Sequence, residues 1–254
     1  LVETAILTIL NHQCLIATKA SRVVYAAQGD GIMEFGLRRA QGPDAGLYGA
    51  RAAVIGGCVG TSNVLAGEMF DVPVMGTHAH SWIMTFKDEY TAFKEYARLY
   101  PDACTLLVDT YDTLKSGVPN AIRVFTEMRE AGIKPKSYGI RLDSGDLAYL
   151  SKKARKMLDD AGFQDAVIAA SNDLDEFLIH DLKMQGAAIS SWGVGTNLIT
   201  SKDCPSFGGV YKLAAIQNAE GEFQPKIKIS ENIEKITNPG NKTIYRIYDK
   251  ETGM

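Results

Sequence analysis

The chain has 254 residues, 46% of them hydrophobic and 22% charged, with a formal net charge of −3. That composition suits one large α/β domain or two small ones. It excludes a broad basic surface for nucleic acid, and with no apolar run near ~18 residues it excludes a membrane-spanning helix as well.

The first element is a long amphipathic helix from Thr4, its expected N-cap, to Ala27, followed by a strand Ile32–Phe35 that runs out in Gly36-Leu37-Arg38-Arg39. A small-residue helix Ala45–Ile55 leads to a buried strand 56–60, and Thr61-Ser62-Asn63 caps the helix Val64–Phe70. Val72–Met75 is a short strand broken by Gly76-Thr77, and His80 opens a further helical pattern. Helices Asp88–Tyr100, Ala121–Ala131, Leu147–Ala161 and Leu174–Met184 then alternate with strands Thr105–Val108, Tyr138–Leu142, Ala166–Ala170 and Ala188–Trp192. A polar loop 201–209 precedes a strand Val210–Gln217.

Strand and helix repeat at even spacing, and the strand cores are apolar on both faces, as in a parallel sheet covered by helices. The expected fold class is α/β, an irregular TIM-like barrel over residues 1–218. Beyond Asn218 the pattern alternates, in Phe223–Ile229 and Thr243–Tyr248. Residues 219–254 are therefore assigned to a β-rich second domain, mostly absent from this chain. The chain begins with Leu1 rather than Met and ends in Glu251-Thr252-Gly253-Met254, which reads as a hairpin cut short; a fragment of a longer protein is expected.

Four cysteines, Cys14, Cys58, Cys104 and Cys204, form no C-x-x-C pair. They are expected to be mostly buried free thiols in a reducing compartment, the cytoplasm, and no signal peptide is visible.

Barrel active sites lie at the C-terminal ends of the strands. Here those ends read Arg38-Arg39, Thr61-Ser62-Asn63, Thr77 to His80, Asp109, Asp143 to Asp146, Ser171-Asn172 and Gly195-Thr196. Each has an ordinary explanation alone, but polar groups at seven equivalent ends point to one binding mouth. His80, at a strand end beside a first helical turn, suits phosphate contact or a structural role. Arg38 and Arg39 suit an anion or simple solvation. Gly193-x-Gly195-Thr196 resembles the phosphate cradle that barrels build late in the chain. Asp143, Asp146 and Asp109 suit Mg²⁺ held with substrate oxygens, although Asp146 also serves as a helix N-cap. Arg141, inside an apolar strand, needs an anionic partner, either Asp143 or a ligand carboxylate. The residues thus describe a barrel enzyme for a phosphorylated, partly anionic small substrate.

Glu34 to Gly42, Gly60-Thr61-Ser62-Asn63, Gly76-Thr77-x-Ala79-His80-Ser81, Arg141 to Leu147, Gly193-Val194-Gly195-Thr196 and Gly208 to Leu213 occur in an order that resembles nicotinate phosphoribosyltransferase. The resemblance spans nearly the whole chain. It implies a homodimer that makes nicotinate mononucleotide and pyrophosphate from nicotinate and phosphoribosyl pyrophosphate, with Mg²⁺ and coupled ATP hydrolysis, as the entry to NAD from nicotinate. By the same match His80 is the histidine that ATP phosphorylates, Thr77 and Arg141 line the nicotinate pocket, and Thr196 holds a phosphate. Asp143 is assigned to catalysis and metal, and Ser81, Gly195, Arg38 and Arg39 to substrate. His78 is an addition to the motif. The rivals are a nicotinamide or a quinolinate phosphoribosyltransferase; the former resembles this chain but places Asp where Ser62 stands. A third is a phosphate-binding barrel fragment without catalysis.

Overall fold

The computed structural model describes residues 2–253. The chain packs as two compact units, Leu10–Phe207 and the described residues of Leu1–Ile9 with Gly208–Met254. Among the described residues no helix is long and apolar enough to cross a membrane.

In the larger unit, β1 (Gly31–Glu34), β2 (Gly60–Thr61), β3 (Ala103–Leu107), β4 (Ser137–Leu142), β5 (Val167–Ala170) and β6 (Ser191–Val194) form one curled parallel sheet in the order β2-β1-β6-β5-β4-β3. The chain's helices in order are α1 (Val2–Ala26), α2 (Pro43–Ile55), α3 (Val64–Phe70), α4 (His80–Met84), α5 (Glu89–Leu99), α6 (Val118–Glu130), α7 (Leu147–Asp160), α8 (Glu176–Met184) and the single turn α9 (Thr196–Ile199). Ile32, Leu106, Ile140, Leu142, Ile168, Trp192 and Val194 are buried along the strands. Adjacent residues such as Gly139 and Ile140 are both buried, so β4 is covered on both faces, as the continuous apolar runs require. The expected α/β barrel class holds.

The sheet's edges are β2 and β3, and the segment 73–78 ties them together. Thr61 N–H donates to the Pro73 carbonyl, and Met75 N–H donates back to Thr61, each at 2.9 Å. On the other side the Leu107 N–H of β3 donates to Nε2 of His78 at 3.2 Å. The predicted strand 72–75 is therefore reduced to a single bridge, Val74 with Thr61, inside this seam.

Other elements also differ from expectation. α1 starts at Val2, so Thr4 lies inside it and caps nothing. The expected strand 56–60 shrinks to β2, because α2 ends in a left-handed turn at Gly57 (φ +105°). There Gly57 N–H donates to Val54 and Cys58 N–H to Ala53, both at 3.0 Å, which uses the helix's last carbonyls. β6 lies later than 188–192: Ala188 N–H is taken by Ser151 Oγ, and pairing to β1 begins only at Ser191, opposite Gly31. Val210–Gln217 is not a strand of this sheet. Only β7 (Ala215–Gln217) forms, antiparallel to β8 (Phe223–Pro225), around a turn in which Asn218 N–H donates to Glu222 at 2.9 Å. Residues 243–248 form no strand, and Ile244 and Ile247 are exposed. All four cysteines are free, but Cys14 and Cys204 are exposed and only Cys58 and Cys104 are buried. Burial pushes both buried thiols up to about 12.

Candidate active site

The C-terminal ends of the parallel strands converge on two adjoining cavities. One, of about 180 Å³, is bordered by Arg38, Arg39, Asn172, Asp173, Gly195 and Thr196. The other, of about 490 Å³, is bordered by Ser62, Thr77, His80, Ser81 and Leu107. Phe35, Arg38, Arg141 and Asp143 border both, so one continuous mouth has a basic end and a histidine end.

Each wall is set by local structure. Arg38 and Arg39 sit in a 3-10 turn, Leu37–Arg39, immediately beyond β1. That turn is anchored by Glu34, a fully buried carboxylate that accepts from the Gly36 N–H and, at 2.6 Å, from the Thr61 hydroxyl. Burial raises the Glu34 pKa, and these two hydrogen bonds oppose the rise. Asn172 (φ 94°) and Asp173 (φ 45°) leave β5 in the left-handed region, which non-glycine residues adopt at a cost of order 1–3 kcal/mol. Gly193 has no side chain where a Cβ would sit 2.5 Å from the Phe35 ring. The Gly-x-Gly spacing thus admits Phe35 to the mouth, while Gly195 and Thr196 border the basic cavity.

Arg141 is the hub. It stands in β4, its side chain only 17% exposed. Its Nε donates to Ser171 Oγ at 2.8 Å, Nη1 to Thr77 Oγ1 at 2.8 Å, and Nη2 to Asp143 Oδ1 at 2.9 Å. The anionic partner left open by the sequence is Asp143, and two of the five guanidinium N–H groups keep no protein acceptor among these bonds. Burial would raise the Asp143 pKa, but the Ser171 hydrogen bond and the Arg141 charge outweigh it and hold it below the usual carboxylate range.

His80 begins α4 and is about 40% exposed. Its Nδ1 lies 3.1 Å from Thr110 Oγ1, and its Nε2 lies 3.6 Å from Asp143 Oδ2 and 3.9 Å from Asp109 Oδ1. Asp109 is buried. Its Oδ2 accepts from the Asp143 N–H and Ser144 Oγ, while Oδ1 has no hydrogen-bond partner among the described residues. A buried acceptor left open beside a histidine is costly unless something fills it. The two carboxylates thus face the Nε2 side of the ring, and Thr110 faces the Nδ1 side.

His80, Asp143, Thr77, Arg141, Thr196, Arg38, Arg39, Ser81 and Gly195 therefore all border the mouth. Asp146 does not border either cavity, and its carboxylate caps α7 through the Tyr149 N–H at 2.9 Å. Phe35 and Thr110 were not marked by the sequence. Phe35 follows a buried strand directly, and that adjacency to the Arg38-Arg39 turn is the signal that points to it. Among the described residues, no group of three His, Cys, Asp or Glu side chains is placed to hold a metal ion.

Comparison with known proteins fits this geometry. The Nicotinate phosphoribosyltransferase (NAPRTase) family profile matches residues 31–251. The chain is 58% identical over 250 residues to the nicotinate phosphoribosyltransferase of Bacillus subtilis (strain 168), covering 98% of this chain and 50% of that protein. It is 41% identical over 297 residues to the Dictyostelium discoideum enzyme of the same name, covering 99% of this chain and 49% of that protein. Among solved structures, human nicotinic acid phosphoribosyltransferase superposes with a TM-score of 0.69 at 30% identity, covering 76% of this chain and 49% of that chain. A nicotinate-nucleotide pyrophosphorylase from Pyrococcus furiosus superposes with a TM-score of 0.67 at 25% identity, covering 95% and 62%. The chain spans about half the length of the curated relatives it matches. It belongs to the nicotinate phosphoribosyltransferase family.

Proposed function

We propose that the whole protein is a nicotinate phosphoribosyltransferase, joining nicotinate to phosphoribosyl pyrophosphate with release of pyrophosphate, and that ATP drives it through a phosphohistidine at His80. The carrying observation is the shared wall. Arg141 and Asp143 stand between a basic cavity sized for phosphate groups and a second cavity that holds His80.

In this reading Arg38, Arg39 and Thr196 take phosphates of the phosphoribosyl substrate at the basic end. The Arg141 guanidinium is fixed by Ser171, Thr77 and Asp143, and its remaining N–H groups meet the nicotinate carboxylate. Phe35, whose ring centre lies 5.4 Å from the Arg141 guanidinium carbon, offers a face for the pyridine ring. The pyridine nitrogen bonds to the anomeric carbon as the bond to pyrophosphate breaks. Positive charge develops on the ribose in that step, and the Asp143 carboxylate, held ionised, stabilises it. For ATP, the His80 lone pair bonds to the terminal phosphorus and the bond to ADP breaks. Ser81 lies at the start of the same helix and contacts the incoming phosphate.

Asp109 Oδ1, which has no hydrogen-bond partner among the described residues, and Asp143 Oδ2, 3.6 Å from His80 Nε2, fit a magnesium ion that arrives on substrate phosphates, which takes few protein ligands. Such an ion would neutralise charge on the leaving pyrophosphate. Asp146 serves as a cap and is not needed for it. We further read the whole protein as a cytoplasmic homodimer: the free cysteines fit a reducing compartment, and the family resemblance supports the dimer. The test is product formation by the full-length protein with nicotinate, nicotinamide and quinolinate in parallel. Nicotinate mononucleotide from nicotinate alone is the expected result; equal use of nicotinamide, or use of quinolinate, overturns the assignment.

A further inference from the structure

We propose that His78 is a positioning residue for the phosphate-accepting histidine: its ring locks the loop before α4 onto the edge of β3 and so fixes where His80 stands. This rests on the reading of His80 given above.

The loop 73–81 is held to the sheet on its β2 side by two backbone hydrogen bonds, but toward β3 it has no backbone pairing among the bonds described. Most of its residues are exposed or half-buried; His78 is the buried side chain in it, at 8% exposure. The ring packs against Tyr96 and Phe93 of α5, with centroids 4.6 and 6.2 Å away. It is not held there by apolar packing alone. An edge strand leaves alternate N–H groups without a neighbour, and a buried one must find an acceptor. For Leu107 that acceptor is His78 Nε2 at 3.2 Å. A backbone N–H can only donate, so Nε2 carries the lone pair and the ring is neutral with its proton on Nδ1, 3.4 Å from the Ala79 carbonyl oxygen.

Two residues later, His80 Nδ1 meets Thr110, three positions beyond Leu107. His78 and His80 therefore dock on one strand and its exit loop, and His78 sets the distance of the second contact. On the far side Thr77 is held by Arg141. Removing the His78 acceptor orphans a buried N–H and frees the β3 side of the loop. His80 then leaves Thr110, Asp109 and Asp143, whereas Arg141 and the basic cavity stay in place.

The experiment compares the full-length enzyme with His78→Phe, which keeps the aromatic packing but cannot accept, and His78→Gln, whose amide oxygen can reach the Nε2 position. Label transferred to protein from γ-phosphate-labelled ATP is measured beside nicotinate mononucleotide formation with and without ATP. His78→Phe is expected to lose labelling and the ATP-stimulated kcat by about tenfold or more, as misplacement of a reacting group does. Its ATP-independent rate and its KM for nicotinate should stay within about threefold, and His78→Gln should restore most of the labelling, since it restores the acceptor. Unchanged labelling in His78→Phe overturns the proposal, and so does parallel loss of both rates in both variants. Amide exchange over residues 103–110 in the wild type guards against a variant that does not fold. Protection at Leu107 that persists in His78→Gln supports the lock, and an unprotected Leu107 amide in the wild type overturns it. A wild-type enzyme that labels His80 but makes no nicotinate mononucleotide sinks the activity reading and leaves the lock standing.

Discussion

The Nη2 of Arg141 lies 2.9 Å from Oδ1 of Asp143, two residues further along the same chain. Asp143 follows the last residue of β4 directly, so the end of that strand brings a cation and an anion to the mouth together. The pair also shares Ser171, whose hydroxyl meets Arg141 Nε at 2.8 Å and the Asp143 carboxylate. Pairing of β4 with β5, with Leu142 opposite Ala170, puts Ser171 at that spot. An arginine held on three sides has lost its rotamer freedom before a ligand arrives, which favours one carboxylate orientation over others.

Arg141→Gln should therefore lower kcat/KM for nicotinate about ten- to a hundredfold, the size of one charge-assisted hydrogen bond, with a smaller effect on nicotinamide. Steady-state kinetics with both substrates checks this. An unchanged ratio would place the carboxylate elsewhere.

How far the sequence revealed this site depends on which signal each residue leaves. Arg141 in an apolar strand and Asp143 at its end stand out, because a buried charge needs a partner. Strand-end periodicity likewise marked Arg38, Thr77, His80 and Thr196, and all border the mouth. The failures have local causes. The strand expected over 56–60 was undone by a left-handed turn that uses glycine conformational freedom rather than hydrophobic pattern. His78 was noted only as an extra histidine: its partner, the Leu107 amide, is a backbone group 29 residues away and leaves no trace in side-chain chemistry.

Acid should test the His78 ring directly. Burial lowers its pKa to about 4, opposed by the contact with the Ala79 carbonyl and aided to a smaller extent by Arg141 and His80. Of the neighbours in α5, Tyr96 is pushed up to about 12 and stays uncharged. Between about pH 6.5 and about pH 4 the unfolded chain binds a proton here that the folded chain does not. Stability is thus lost as pH falls through that window, by up to about 3 kcal/mol. Thermal melts from pH 7.5 to about 5 should show a Tm decline that is shallower by one proton's linkage in His78→Gln. Identical slopes would contradict a neutral buried ring.

Glu34 makes a prediction of opposite sign. Its pKa is raised in the fold, so its ionised form costs stability at neutral pH and that cost fades as pH falls toward the carboxylate range. Glu34→Gln keeps an acceptor for Gly36 and a partner for Thr61, and should match or exceed wild-type stability at pH 7. Glu34→Ala strands both buried donors and should cost about 2–4 kcal/mol. It also loosens the Arg38-Arg39 turn, raising KM for phosphoribosyl pyrophosphate more than KM for nicotinate. Urea midpoints and the two KM values check this; an Ala variant within about 0.5 kcal/mol of wild type would remove Glu34 from the anchor.

His80 is the residue that receives the phosphoryl group from ATP in the proposed reaction. Incubating the full-length enzyme with γ-phosphate-labelled ATP should give an acid-labile, base-stable label on the wild type and none on His80→Ala. That variant should retain ATP-independent formation of nicotinate mononucleotide while losing stimulation by ATP. Acid-labile label that persists in His80→Ala, at wild-type yield, would contradict the assignment of the phosphoryl acceptor.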